Sequence, residues 1–239
     1  MRRLTRGNAA RLLPKRFYTT VTVSAANSIL LDGKPVKTPL KAFLQMPTNV
    51  LALAVAEEWQ AQSSVIDPAK MPLTKLANTA IDRGNNERVK MMRELLDYAN
   101  SDLVCYRAET PQELVQDQQN HWEPVLVWAN VRLGTAFAST TGITHKSQAP
   151  KSLRAYETYV KTLDNFQLTA LYSLTILLGS ALIAAMLVEK GIVPESAWLA
   201  AHVDEDHQIR FWGSDEEAVA RRHNRKLEFD AAVTFARLA

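Results

Sequence analysis

The 239 residues are 47% hydrophobic and 22% charged, an ordinary globular composition and enough chain to bury one large core or two smaller ones. Twenty-eight Lys and Arg against 25 Asp and Glu leave a net charge of +3, too small an excess to make nucleic acid the default partner. A single cysteine, Cys105, excludes an intramolecular disulfide and any paired-cysteine metal or redox motif, and fits a reducing compartment.

Arg2, Arg3, Arg6, Arg11, Lys15 and Arg16 all precede the first acid, Asp32. This reads either as a mitochondrial transit peptide or as a basic arm on a cytoplasmic protein. The first twenty residues hold no continuous apolar stretch, so a secretory signal is not expected. Residues 16–46 are strand-like: RFYTTVTV alternates, and Asp32-Gly33 between two β-rich runs predicts a hairpin. MPTNVLALAVAEEWQAQ then changes to helical spacing through Leu51, Val55 and Trp59, with Thr48 or Asn49 as cap and a stop before Ser63-Ser64.

Pro68, Met71 and Pro72 give an irregular entry to the next helical stretch, and residues 87–100 carry an amphipathic helix. Residues 102–106 read as a short strand or a buried turn. A further helix begins after Pro111, carries Trp122, Pro124 and Trp128, and ends at Gly134. Residues 136–144 are expected to form one late strand, followed by helices over 151–163, 166–190, 195–211 and 215–238. Ser214 and Glu217 form the spacing of a capping box for the last of these. Between Asp164 and Glu189 no charge occurs, a span long enough to cross a bilayer. Gln167, Thr169, Ser173, Thr175, Gly179 and Ser180 dilute it, so it reads as a buried helix or helix pair bent near Gly179-Ser180. Early strands and late helices give an α+β fold: a small N-terminal domain over residues 1–86, with a mixed or antiparallel sheet, and a larger, mainly helical domain over 87–239.

No glycine-rich phosphate loop and no nucleophile elbow occurs. His202 and His207 are five positions apart and face different ways on a helix, which makes them poor co-ligands for a metal. On the same predicted helix Trp198, Ala201, Ile209 and Trp212 fall on one side, with Glu205 projecting from its middle. A carboxylate in such a stripe needs a proton or a cation. An internal bridge to Arg221, Arg222 or Arg225 is the plain structural reading. A hydrolase pairing Glu205 with His202 or His207, and a membrane-associated factor using residues 165–188, are rivals that lack supporting motifs.

KRFY at residues 15–18, LDGKPVKTP at 31–39, AEEWQAQ at 56–62, MPLTKLANTAID at 71–82, DLVCYRAETPQEL at 102–114 and DEDHQIRFWGSDEEA at 204–218 occur in that order. Together they resemble the assembly chaperones of the F-type ATP synthase alpha subunit, the "Atp twelve" family. The resemblance implies a non-enzymatic chaperone without a cofactor or metal, which shields the unassembled alpha subunit from aggregation until the beta subunit replaces it. It further implies a monomer of the bacterial cytoplasm or the mitochondrial matrix, not secreted, with no stable membrane insertion and no nucleic acid partner. Glu205 matches an acidic position of the family's C-terminal block linked to chaperone function. Residues expected to bind client are Glu205, Trp212, Gln208, Asp204 and Trp59. His207 departs from the family pattern, in which an aromatic residue is usual at that position.

Overall fold

The computed structural model describes residues 13–142 and 144–239. Most of the basic arm read over residues 1–14 thus lies outside the described residues, as does Ile143 of the expected late strand.

Three short antiparallel strands, β1 (Val21–Val23), β2 (Ile29–Leu31) and β3 (Lys34–Pro35), lie in the order β1-β2-β3. Leu31 pairs with Lys34 across Asp32 and Gly33, whose φ values of 48° and 77° are both left-handed. That is the two-residue hairpin for which Asp-Gly is suited. The Asp32 carboxylate accepts from the Thr20 amide at 2.8 Å and from the Thr19 amide at 3.1 Å, which ties the turn to the approach of β1 and holds this carboxyl below the usual range. Ile29 and Leu44 turn inward onto Leu51 and Val55 of α1 (Asn49–Gln60), forming a small core. Thr48 caps α1, its Oγ1 accepting from the Leu51 amide.

α2 (Pro72–Asn86) opens on Pro72 without a side-chain cap of its own, after a 3₁₀ turn at Pro68–Lys70. Glu58 of α1 supplies the acceptor instead, taking the Leu73 amide at 2.7 Å and the Thr74 amide at 2.8 Å. A carboxylate satisfies the free N–H groups of a helix start and complements its dipole. Burial nevertheless raises the Glu58 carboxyl above its ordinary value.

The larger body comprises α3 (Arg88–Asn100), β4 (Tyr106–Arg107), α4 (Gln112–Leu133), β5 (Thr140–Thr141), α5 (Pro150–Thr162), α6 (Asn165–Leu178), α7 (Ala181–Val188), α8 (Pro194–Ala201), α9 (Val203–Trp212) and α10 (Glu216–Leu238). Residues 102–106 resolve into a buried 3₁₀ turn at Leu103–Cys105 and the first residue of β4. The uncharged stretch is α6 and α7, parted where Gly179 adopts a φ of 66°. Every residue of α7 from Ala181 to Leu187 is buried, and α6 packs on α2, α7 and α10. Among the described residues no helix is long and apolar enough to cross a membrane.

Asp102 starts the buried α7. Its Oδ2 accepts from the Leu182 amide at 3.0 Å and its Oδ1 from the Ser180 hydroxyl at 2.6 Å, while Ser180 Oγ accepts from Ile183. Complete burial pushes this carboxyl up to about 6 despite those donors. Desolvation penalises the charged form more than the hydrogen bonds reward it.

The expected α+β arrangement, a small N-terminal sheet region and a larger helical body, is the one the chain adopts. Three local expectations are corrected. The late strand shrinks to Thr140–Thr141, paired in parallel with β4, because side chains of Gln148 and Ser152 hold Ala136 and Ala138 in place of a strand. The single helix over 195–211 is two helices broken at His202. There Nδ1 of the imidazole contacts the Trp198 carbonyl at 2.7 Å, taking the place of the backbone N–H, which turns to Leu199 instead. Asp215, not Ser214, caps α10, accepting from the Ala218 amide at 2.7 Å, and Glu217 pairs along the helix with Arg221.

Candidate functional site

α9 is fastened on two sides. Towards α4, Gln118 Nε2 donates to Asp204 at 2.7 Å, and Arg210 reaches Asp117 at 2.6 Å and Glu113 at 3.0 Å. Towards α10, Arg222 pairs with Asp206, and Arg225 with Glu205 at 2.5 Å. Arg222 stands a further 3.7 Å from Glu205. The acids fall in the first turn of α9, where the helix dipole favours negative charge. The internal bridge inferred for Glu205 therefore exists, and it is made by two of the three arginines considered.

Beneath this bridge Trp198 is buried against Phe229 of α10, ring centroids 5.2 Å apart, and against His202 at 3.9 Å. Lys226 stands 5.7 Å from the indole centroid and Arg225 5.9 Å, so cations roof the π face. Burial, with a smaller contribution from the neighbouring arginines, lowers the His202 pKa and favours its neutral form. Its 3.9 Å approach to Glu205 is an ion pair only when the imidazole is protonated, the form that burial disfavours. Glu205 is held by guanidinium and His202 is buried with Nδ1 on the Trp198 carbonyl, so both groups are engaged in internal contacts. His207 is buried beside Phe211, and no group of three or more His, Cys, Asp or Glu among the described residues could hold a metal.

Fastening α9 through its acids and Arg210 leaves its C-terminal end facing outward. Trp212 is 79% exposed and Phe211 58%. Gly213, at φ 74°, then turns the chain into α10. Two open hollows flank this end. One, of about 980 Å³, lies against α10 and is lined by Trp198, Glu205, Ile209, Trp212 and Arg222 among others. The second, of about 620 Å³, lies against the start of α4 and includes Asp204, His207 and Arg107. Gln208 and Trp212 border both and form the ridge between them.

Of the residues singled out in the sequence, Glu205, Gln208, Trp212 and Asp204 come together around this ridge. The predicted apolar stripe survives the break at His202, except that Ala201 does not line the hollow. Trp59 stands elsewhere, half-buried beside Tyr18 in a hollow of about 450 Å³ that also includes Phe17. Sequence reasoning missed Gln118, Asp117 and Glu113, whose contacts with α9 span 86, 93 and 97 residues. It also missed Phe211, although FW within the C-terminal block was the signal available.

The family model of the ATP12 chaperone protein matches residues 15–130. The crystal structure of Atp12 from Paracoccus denitrificans superposes with a TM-score of 0.88 at 36% identity, covering 94% of this chain and 98% of that one. An Asp-to-Lys mutant of the same Paracoccus denitrificans protein matches equally, covering 94% and 97% of the two chains. The Agrobacterium tumefaciens protein Atu1473 gives 39% identity and a TM-score of 0.88 over 95% of this chain and 86% of that one. At 94–95% of this chain, these matches cover far more than the residues 15–130 of the family model. Identity above one third along nearly the whole length, with the same fold, makes this chain a member of the ATP12 chaperone family.

Proposed function

We propose that this chain is an assembly chaperone of ATP synthase which binds the unassembled alpha subunit, keeps it soluble and releases it to the beta subunit. It acts by binding, not by turnover. The observation that carries the reading is Trp212, a tryptophan 79% exposed on the ridge between two hollows in a member of a chaperone family. Exposed aromatics beside charged residues are what a surface that covers another protein's apolar patch requires. Phe211 and Gln208 extend that surface, Asp204 and Glu205 supply its acidic rim, and Trp59 with the exposed Phe17 offers a second patch.

Glu205 has a defined part in this reading. Its carboxylate is 36% exposed and held by Arg225 and Arg222, so a cation or amide of the client can share it without deep burial of charge. Capture of purified alpha subunit by Trp212→Ala and Phe211→Ala variants tests the proposal, with circular dichroism as the check on folding. Weakened capture by folded variants supports it. Unchanged capture by both removes this ridge from client binding.

A further inference from the structure

Between α4 and α5 the chain runs past β5 fastened along one edge. The Ala136 amide donates to Ser152 Oγ at 3.0 Å. The Ala138 amide donates to Gln148 Oε1 at 2.8 Å, and its carbonyl accepts from Gln148 Nε2 at 3.0 Å. Beyond them β5 pairs with β4, and the Gly142 amide donates to the Arg107 carbonyl at 2.9 Å. In an extended chain successive residues present their N–H and C=O groups to opposite edges. The even-numbered residues are thus satisfied inward, and Phe137 and Ser139 present theirs to the other side. Their main-chain groups meet no hydrogen-bond partner among the described residues.

The same alternation shows where that open edge points. Thr135 shares its parity, and the Thr135 amide donates to the Ala129 carbonyl near the end of α4. Between α4 and the open edge lies a hollow of about 330 Å³ that includes Leu126, Val127, Val131 and Phe137. Val131 is 81% exposed and Val127 is also exposed. Thr135 lines the hollow fully buried, and its hydroxyl has no partner among the described residues. No residue of this hollow lines either hollow beside α9.

The geometry points to a strand-addition site: an extended segment of a partner polypeptide pairs with the main chain of Phe137 and Ser139 and turns an aliphatic side chain into the hollow over Val127 and Val131. The unpaired main chain selects this occupant. A helix satisfies its own backbone and would leave the edge groups unmatched, whereas a strand supplies both the hydrogen bonds and alternate side chains.

The test uses the full chain and a peptide of alternating Val and Thr flanked by Lys, alongside a peptide of the same sequence N-methylated at alternate residues. The expected result is saturable binding of the unmodified peptide, with hydrogen exchange at the Phe137 and Ser139 amides slowed by about tenfold or more in the complex. N-methylation on the pairing edge abolishes binding. Val131→Asp weakens it by roughly tenfold without changing thermal unfolding, because that side chain is exposed. Absence of binding, equal binding of the methylated peptide, or protection confined to other amides overturns the proposal. So does a dimer of the chain that Val131→Asp dissociates, since a second copy would then occupy the edge.

Discussion

Replacing Glu205 with Ala separates its internal role from its proposed role in client binding. The substitution removes a contact of 2.5 Å to Arg225 and a weaker one of 3.7 Å to Arg222. Glu205 is 36% exposed and the Arg225 side chain 38%, so solvent screens the pair, and bridges of this kind contribute about 0.2–1 kcal/mol. Arg222 keeps Asp206, which limits the further loss. The total is about 1 kcal/mol, which for a chain of this size lowers the melting temperature by roughly 2–4 °C. Arg225→Ala should cost about as much, and the double variant should show a coupling of about 0.5–1 kcal/mol. Thermal unfolding followed by circular dichroism measures these losses, and alpha-subunit capture at a temperature where all variants remain folded measures the other role. Glu205→Ala is expected to weaken capture, and Glu205→Gln to weaken it less. A stability loss above about 3 kcal/mol would refute the screened-bridge argument, since only an uncompensated buried charge costs that much. Undiminished capture would leave Glu205 with the internal bridge alone.

Other consequences follow from the packing. Because burial raises the Asp102 carboxyl to about 6 from an unfolded value of 3.8, the folded state binds the extra proton between those values. Its contribution is complete below about pH 4 and is lost as pH rises through about 6, a change of about 3 kcal/mol. Denaturant unfolding of the native chain against Asp102→Asn should show that difference growing in favour of the variant from about pH 4 to pH 7, and parallel curves would contradict it. Trp198→Ala should cost about 3–5 kcal/mol by urea unfolding, while the exposed Trp212→Ala should stay within about 0.5 kcal/mol. Gly84→Ala would bring a Cβ within 2.7 Å of Asn165 on α6, and is expected to cost about 1–3 kcal/mol in the same assay. Gly33→Ala has open space around it but a φ of +77°, so about 1 kcal/mol of backbone strain is the expected loss.

Where a local signal fixes the backbone, the sequence was readable. Asp32-Gly33 specified the hairpin, Thr48 or Asn49 the start of α1, Gly134 the end of α4, and Gly179-Ser180 the break between α6 and α7; of the two caps it is Thr48 that accepts from the Leu51 amide. Reading failed where a distant side chain decides. Helical periodicity continues through His202, where the imidazole meets the Trp198 carbonyl that the backbone N–H would meet in an unbroken helix. Gln148 and Ser152 replace a strand partner, which no residue within 136–144 announces. Ser214 and Asp215 are both good caps one residue apart, and Asp215 is the one whose carboxylate meets the Ala218 amide after the turn at Gly213.

The candidate site divides in the same way. Spacing along one helix placed Glu205 and Trp212 on one face, where they line the same hollow, and the arginine group on the next helix was identifiable as the source of Glu205's partners. The α4 residues that fasten α9 were not, since nothing local marks contacts closed across more than eighty residues. Glu58 shows the converse. It sits within a block that carries the family resemblance, next to Trp59, yet its carboxylate is occupied in capping α2.

Light scattering of purified alpha subunit diluted from denaturant, with and without an equimolar amount of the full chain, tests whether the chain lends the proposed binding surface to an unassembled ATP synthase alpha subunit. The expected result is suppressed scattering, in a soluble complex that added beta subunit displaces. Aggregation of the alpha subunit at an undiminished rate, with no complex recovered, would contradict it.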